Sequence, residues 1–278
     1  MAKLYIDSSS VFRTADRLLD GRTLASSLAE RGYSAVVGMH TVYVLGSKVL
    51  LSGDTEKGMQ VFSILRDLNA AFVPPTRRLL AYEVLSLRTG SPVVPFLLAV
   101  DRRAMQLEIE RLARGIFDGR AEYFIRTREA RSGAVEPLLP PDRRGDLGFP
   151  FSGGPGRVFP PPSPEDALSS SAETLPHLVL KIFGTKITEE EAQELALRLD
   201  DFPALRSAVL ANLYWIGFRA SGRSPKGSAR PEDSLHLIDS AYCDALLTAD
   251  QGLAEAASFI APHILVLDWT QLELAFGR

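Results

Sequence analysis

The sequence predicts an α/β protein with a short, mostly parallel central sheet. Three observations predict it. Short apolar runs alternate with stretches of helical periodicity, and the first run, residues 3–6, is followed directly by an acid, Asp7. Residues 231–253 then read as a helix opened by Asp233, an apolar strand, and a Thr-x-Asp ending at Asp250.

Strands are expected at residues 3–6, 35–38, 70–73, 245–248 and 264–267, each short and apolar. Residues 55–68, with Met59, Phe62 and Leu65 on one side, read as an amphipathic crossover helix. Pro74 and Pro75 end the third strand, and Thr76 starts a helix that carries Glu83 two turns in. These parts, residues 1–90 and 228–278, form the α/β core. Residues 91–227 form a helical insertion, read as a lid or linker rather than a separate domain. Within it, a helix over 101–131 is interrupted at Gly115 and Gly119. A loop over 133–164 holds half of the chain's 18 prolines. Helices follow over 165–183, 189–199 and 203–220, the second opened by a capping box of Thr188 and Glu191. The apolar stripe of Leu205, Val209 and Leu213 reads as core, with a homodimer or a groove for an inhibitory protein as the alternative.

With 278 residues, 46% of them apolar, the chain can bury a sizeable core. A single cysteine, Cys243, excludes an internal disulfide framework, and four scattered histidines without paired cysteines do not support structural zinc. No apolar run reaches membrane-spanning length and the N-terminus does not read as a signal peptide, so a soluble, cytoplasmic protein with no membrane partner is expected. A net charge of −3 argues against a broadly basic nucleic-acid coat. Arg219, Arg223, Lys226 and Arg230 nevertheless form an acid-free stretch leading into Asp233, suited to a phosphate backbone or, equally, to a solvated loop.

Topology brings three acids together. A helix preceding a parallel strand runs antiparallel to it, so the start of that helix lies near the strand's C-terminal edge. From Asp233 the chain descends about 16 Å as helix and climbs back about 20 Å as strand to Asp250. Asp7 lies on the same edge, where open sheets keep their ligands. Crowded carboxylates are most simply explained by a divalent cation, and oxygen ligands favour Mg2+ or Mn2+. Taken singly, Asp233 also suits an N-cap and Asp250 a turn. On the Asp233 helix, at about 100° per residue, His236 shares the face of Asp233, whereas Asp239 falls about 240° away and is expected to be solvated. His236 would touch a phosphate or serve as a hydrogen-bonded histidine beside the pocket. Asp244 reads as a helix-to-strand connector.

IDSSSVF at residues 6–12 and DSLHLIDSAYCDALLTADQGL at 233–253 resemble the opening and closing motifs of the PIN-domain nucleases. The resemblance covers residues 1 to about 90 and about 228 to 278. It implies a three-layer α/β/α fold and Mg2+- or Mn2+-dependent hydrolysis of single-stranded RNA. Asp7, Asp233 and Asp250 would be metal ligands, with Ser9 and Thr248 orienting them. A toxin role in a toxin–antitoxin pair is also implied, although this chain is much longer than such toxins. The family's further acid, expected in the helix after the second strand, is missing: Val44, Leu45 and Gly46 occupy its place. Glu83 is the nearest substitute. The missing acid supports a second reading, a PIN-like binding or scaffold module with weak or lost catalysis. A haloacid-dehalogenase phosphatase would need an acid at Ser9, a dinucleotide fold would need Gly-x-Gly-x-x-Gly, and a von Willebrand type metal site is broken by Val11.

Overall fold

The computed structural model describes residues 1–125, 163–221 and 231–269, and for 218–221 the backbone only. The loop over 133–164, except its last two residues, therefore lies outside the described residues. So do the last part of the expected 101–131 helix, Arg223, Lys226, Arg230 and the Arg219 side chain.

Five strands form one all-parallel sheet in the order β3-β2-β1-β4-β5. They are β1 (Ala2–Ile6), β2 (Tyr33–Gly38), β3 (Ala71–Val73), β4 (Ala245–Thr248) and β5 (Leu265–Asp268). Every expected strand exists, within two residues of its expected bounds. Alternation along β1 explains the layers. Leu4 and Ile6 enter one apolar cluster with Val37, Phe72 and Leu247, while Tyr5 enters the other with Val36, Val73 and Leu246. A parallel sheet buried on both faces needs a helical layer on each, and the fold is a three-layer α/β/α arrangement.

The Leu4 face is covered by α1 (Ser8–Asp16), α2 (Gly21–Glu30), α3 (Met39–Ser52), α4 (Thr55–Asp67) and α6 (Ala99–Ala113). The Tyr5 face is covered by α5 (Thr76–Thr89), α8 (Pro164–Ser170), α9 (Leu175–Phe183), α10 (Glu189–Leu197), α11 (Pro203–Ser221), α12 (Ser234–Asp239) and α13 (Gln251–Ile260). A further helix, α7, is described over residues 119–125. The interruption at Gly115 is real: its φ of +78° suits glycine, and α7 restarts behind Asp118, whose carboxylate accepts from Ala121 N at 3.0 Å. The capping box of Thr188 and Glu191 is formed.

The helices between residues 91 and 221 do not stand apart from the core. Leu97 N donates to Phe72 O at 2.8 Å, so the chain after α5 runs along the open edge of β3, and α6 packs on α4. Leu205, Val209 and Leu213 on α11 are each at most 1% exposed and belong to the core.

Glu83 holds α11 in place. It is fully buried, and its carboxylate accepts from Ala204 N at 2.8 Å, Leu205 N at 2.7 Å and the Tyr242 hydroxyl at 2.6 Å. It thus satisfies two of the N–H groups that the start of a helix leaves unpaired. The expectation that Glu83 replaces the missing acid is thereby corrected. Leu205 lies ten residues, about 15 Å of helix, before Trp215, whose indole reaches Ser234 beside Asp233 at 2.7 Å. Glu83 serves the far end of α11. Replacing it with Ala should cost about 2–4 kcal/mol in urea unfolding, because two buried backbone donors and the half-buried Tyr242 hydroxyl lose their acceptor, and should leave Mn2+ affinity unchanged.

Candidate functional site

Of the expected residues, the C-terminal edge of the sheet brings together Asp7, Ser9, Thr248 and Asp250. Asp7 follows Ile6 at the end of β1 and caps α1, its Oδ1 accepting from Ser10 N at 2.8 Å. Its Oδ2 accepts from Ser9 Oγ at 2.7 Å and Thr248 Oγ1 at 2.9 Å. Thr248 ends β4, the strand beside β1, and its Oγ1 also accepts from Asp250 N at 3.0 Å. Ser9 Oγ in turn accepts from Ala249 N at 3.0 Å. Two hydroxyls therefore tie the loop after β4 to the first turn of α1. Asp250, for which a turn was the alternative reading, instead caps α13 through Leu253 N at 3.0 Å, a role that coexists with a place at the edge.

Asp7 is 2% exposed, and burial raises its pKa despite the opposing pull of Ser9, Ser10 and Thr248. A carboxylate in that condition gains from a neighbouring cation. Oδ1 has one donor and keeps acceptor capacity, whereas Oδ2 is fully engaged.

Asp233 lies at the end of a 3-10 turn, Pro231–Asp233, with helical φ and ψ of −65° and −22° and no side-chain cap hydrogen bond. Asp233 thus occupies the N-cap position of α12, as its alternative reading had it, without a side-chain hydrogen bond to that helix. One turn on, His236 is 2% exposed. Its Nδ1 lies 3.1 Å from Tyr5 Oη and 3.4 Å from Thr41 Oγ1, and its Nε2 lies 3.5 Å from Ser8 Oγ. It is a hydrogen-bonded histidine that ties α12 to the start of α1. Burial, with help from Lys48, lowers its pKa to about 3, so it is neutral. His40 stacks on it edge-on at 4.6 Å between ring centroids and is likewise held neutral by burial.

Asp239 corrects the expectation of a solvated face. It is fully buried because α12 packs against α3, α5, α11 and α13, and every residue of this helix is covered. Its Oδ1 accepts from Thr76 Oγ1 at 2.6 Å, and its Oδ2 has no hydrogen-bond partner among the described residues. Gly38 makes the space: a Cβ there would lie 2.3 Å from Tyr5 Oη and 2.6 Å from Asp239 Oδ2. Burial raises the Asp239 pKa to about 7, against the pull of Thr76 and the His40 backbone. The sequence reading missed this network. Its signal was the position of His40 and Thr41 directly after β2, on the ligand-bearing edge. Asp244 is exposed and connects β4 to β1, accepting from Lys3 N at 2.6 Å.

The place of residues 44–46, where the resemblance led a further acid to be expected, is filled by packing. Leu45 is fully buried, and a Cβ at Gly46 would lie 2.6 Å from Ile125 Cδ1. Among the described residues no group of three or more His, Cys, Asp or Glu side chains is arranged to hold a metal ion. Asp7 and Asp250 offer oxygen donors of the kind a hard cation takes, and Thr248 links the Asp7 carboxylate to the backbone N–H of Asp250. No helix among the described residues is long and apolar enough to cross a membrane. Comparison with protein-family models, curated proteins and solved structures gives no match.

The buried acid predicts a pH dependence. Because the folded-state pKa of Asp239 is raised from 3.8 to about 7, the folded protein binds a proton that the unfolded chain releases. The stabilising contribution of the protonated form is complete below about pH 4 and is lost as pH rises to about 7. Urea unfolding of wild type and Asp239→Asn at pH 4–8 should therefore show wild type losing a few kcal/mol relative to the variant over that interval.

Proposed function

We propose that this chain is a metal-dependent ribonuclease of PIN type, hydrolysing phosphodiester bonds of single-stranded RNA, with Mg2+ or Mn2+ held by Asp7, Asp233 and Asp250. The observation that carries this reading is the double role of Thr248, which donates to the Asp7 carboxylate across neighbouring strands and accepts from the backbone N–H of Asp250, so that both acids emerge at one edge. The order β3-β2-β1-β4-β5 supports it by setting Asp7 and Thr248 side by side at the edge where parallel sheets keep their ligands.

Each residue has a physical task in this reading. Ser9 and Thr248 hold Oδ2 of Asp7, which leaves Oδ1 with its remaining acceptor capacity. The helices α1, α3, α5 and α13 all begin at this edge, and their positive ends favour an approaching phosphate. Hydrolysis joins a water oxygen to phosphorus and breaks one P–O bond, while negative charge grows on the phosphoryl oxygens. A bound divalent cation supplies Lewis acidity for that charge and lowers the pKa of water. Arg219, Arg223, Lys226 and Arg230 would meet the RNA backbone beside Asp233.

A second reading, a PIN-like binding or scaffold module with weak or lost catalysis, is favoured by one observation. The family's further acid is absent, and Glu83 is committed to α11.

Cleavage of a panel of single-stranded RNA and DNA with Mg2+, Mn2+ or chelator separates the two. The nuclease reading expects metal-dependent cleavage, loss of activity in Asp7→Asn and Asp250→Asn, and a drop of about 10–100-fold in Thr248→Val. Absence of both cleavage and metal binding in folded wild type would favour the binding module.

A further inference from the structure

The shortness of β3 leaves a gap in the sheet. β3 begins with Ala71 opposite Val36, whereas β2 begins at Tyr33, so residues 33–35 have no strand beside them on the side away from β1. A cavity of about 510 Å³ occupies that place. It lies toward the other end of the sheet from the candidate site, since Lys3, which lines it, is about 13 Å from Asp7 along β1. Ala35 and Ala70 line it from the Leu4 side of the sheet and Val36 and Ala71 from the Tyr5 side, so side chains of both layers reach it.

The polar part of the lining is cationic and unused. Lys3 stands beside its register partner Ser34, and its ammonium lies 4.6 Å from the centroid of the Phe96 ring, which lines the same cavity. Arg102 and Gln106 come from α6, one turn apart, and Asn69 from the residues just before β3. The side chains of Lys3, Asn69, Arg102 and Gln106 make no ion pair and no hydrogen bond among the described residues. No acid lines the cavity. Asp244, the acid that touches Lys3, lies outside the lining and accepts from the Lys3 backbone N–H at 2.6 Å. Asp67, two residues before Asn69, is paired with Arg66 at 2.7 Å. Two like charges around one cavity repel, and an incoming anion relieves that repulsion while using the idle donors.

We propose that this gap binds a small phosphate monoester, with Lys3 and Arg102 holding the phosphate. Near neutral pH such a group carries a charge of about −1.5 to −2 and three terminal oxygens that accept, which matches two cations and the amides of Asn69 and Gln106. A carboxylate, or a phosphodiester in a nucleic-acid backbone, brings one charge and two such oxygens and meets half of that lining. The apolar surface of Val36, Ala71 and Phe96 receives the organic part of the ligand. The inference is independent of the nuclease reading, because none of these residues belongs to the Asp7 edge.

The test is calorimetric titration of the full chain, in chelator and at low salt, with glycerol 3-phosphate and adenosine 5′-monophosphate. Glycerol and adenosine serve as uncharged counterparts, and a single-stranded RNA without terminal phosphates as competitor. At least one monoester should bind saturably at one site, and neither uncharged counterpart should bind. Arg102→Gln, at an exposed position that leaves the core intact, should weaken that binding at least about tenfold, the loss of one charge-assisted contact. Arg103→Gln removes the same charge from the neighbouring exposed position, outside the lining, and should leave affinity within about twofold. No saturable binding of either monoester, unaltered affinity in Arg102→Gln, or an equal loss in Arg103→Gln would overturn the proposal. Displacement of the monoester by the RNA at equal phosphate concentration would also overturn it, in favour of a surface for nucleic-acid backbone.

Discussion

The hydrogen bond from Thr248 to Asp7 joins the two motifs that lie farthest apart in the chain. It closes at 2.9 Å only because β4 lies directly beside β1, with Leu247 paired to Ile6, so that the residues following each strand emerge at the same height. Ser9 and Ala249 add a second link of the same kind. The helix after each strand is capped by the acid itself, Asp7 for α1 and Asp250 for α13. The Asp7 carboxylate is thus held both by its own helix and by Thr248 of the neighbouring strand, whereas the Asp250 carboxylate is held by its own helix and its backbone N–H by Thr248.

Beneath that edge the protein accepts polar groups in its core. Tyr5, His236, Thr41 and Ser8 form a chain of contacts from 3.1 to 3.5 Å, with neutral imidazole at its centre. These contacts bind α12, which carries Asp233 at its start, to β1 and α1, which carry Asp7. Low dielectric strengthens such contacts and makes every unmatched atom costly. Asp239 Oδ2 and His40 Nδ1 are two such atoms here, neither with a hydrogen-bond partner among the described residues.

How much of this was legible depended on whether a signal was local. Strand positions were legible because short apolar runs broken by turn residues have few alternatives; β4 was located to the residue. The contacts of Ser9 and Thr248 with Asp7 lay where the motifs pointed. Burial was not legible. A helical wheel gives the angle between Asp239 and Asp233, but not that α12 has neighbours on every side. Glu83 was judged by its distance along α5 from the edge, whereas its partners come from α11, more than a hundred residues later. The burial of Glu108 did carry a missed signal: with Met105, Ile109 and Leu112 it falls in the apolar stripe of α6, an unusual place for an acid. The residues over 126–162 and 222–230 lie outside the described structure, and three of the four basic residues before Asp233 fall among them.

The most direct test of the central claim is a crystal structure with Mn2+ in excess, read by anomalous scattering. The account predicts a manganese peak at the C-terminal edge, bonded to Asp7 Oδ1 and reached by Asp250 and Asp233, with Thr248 still donating to Asp7. An ordered edge without manganese, in a chain that binds none in solution, would contradict it.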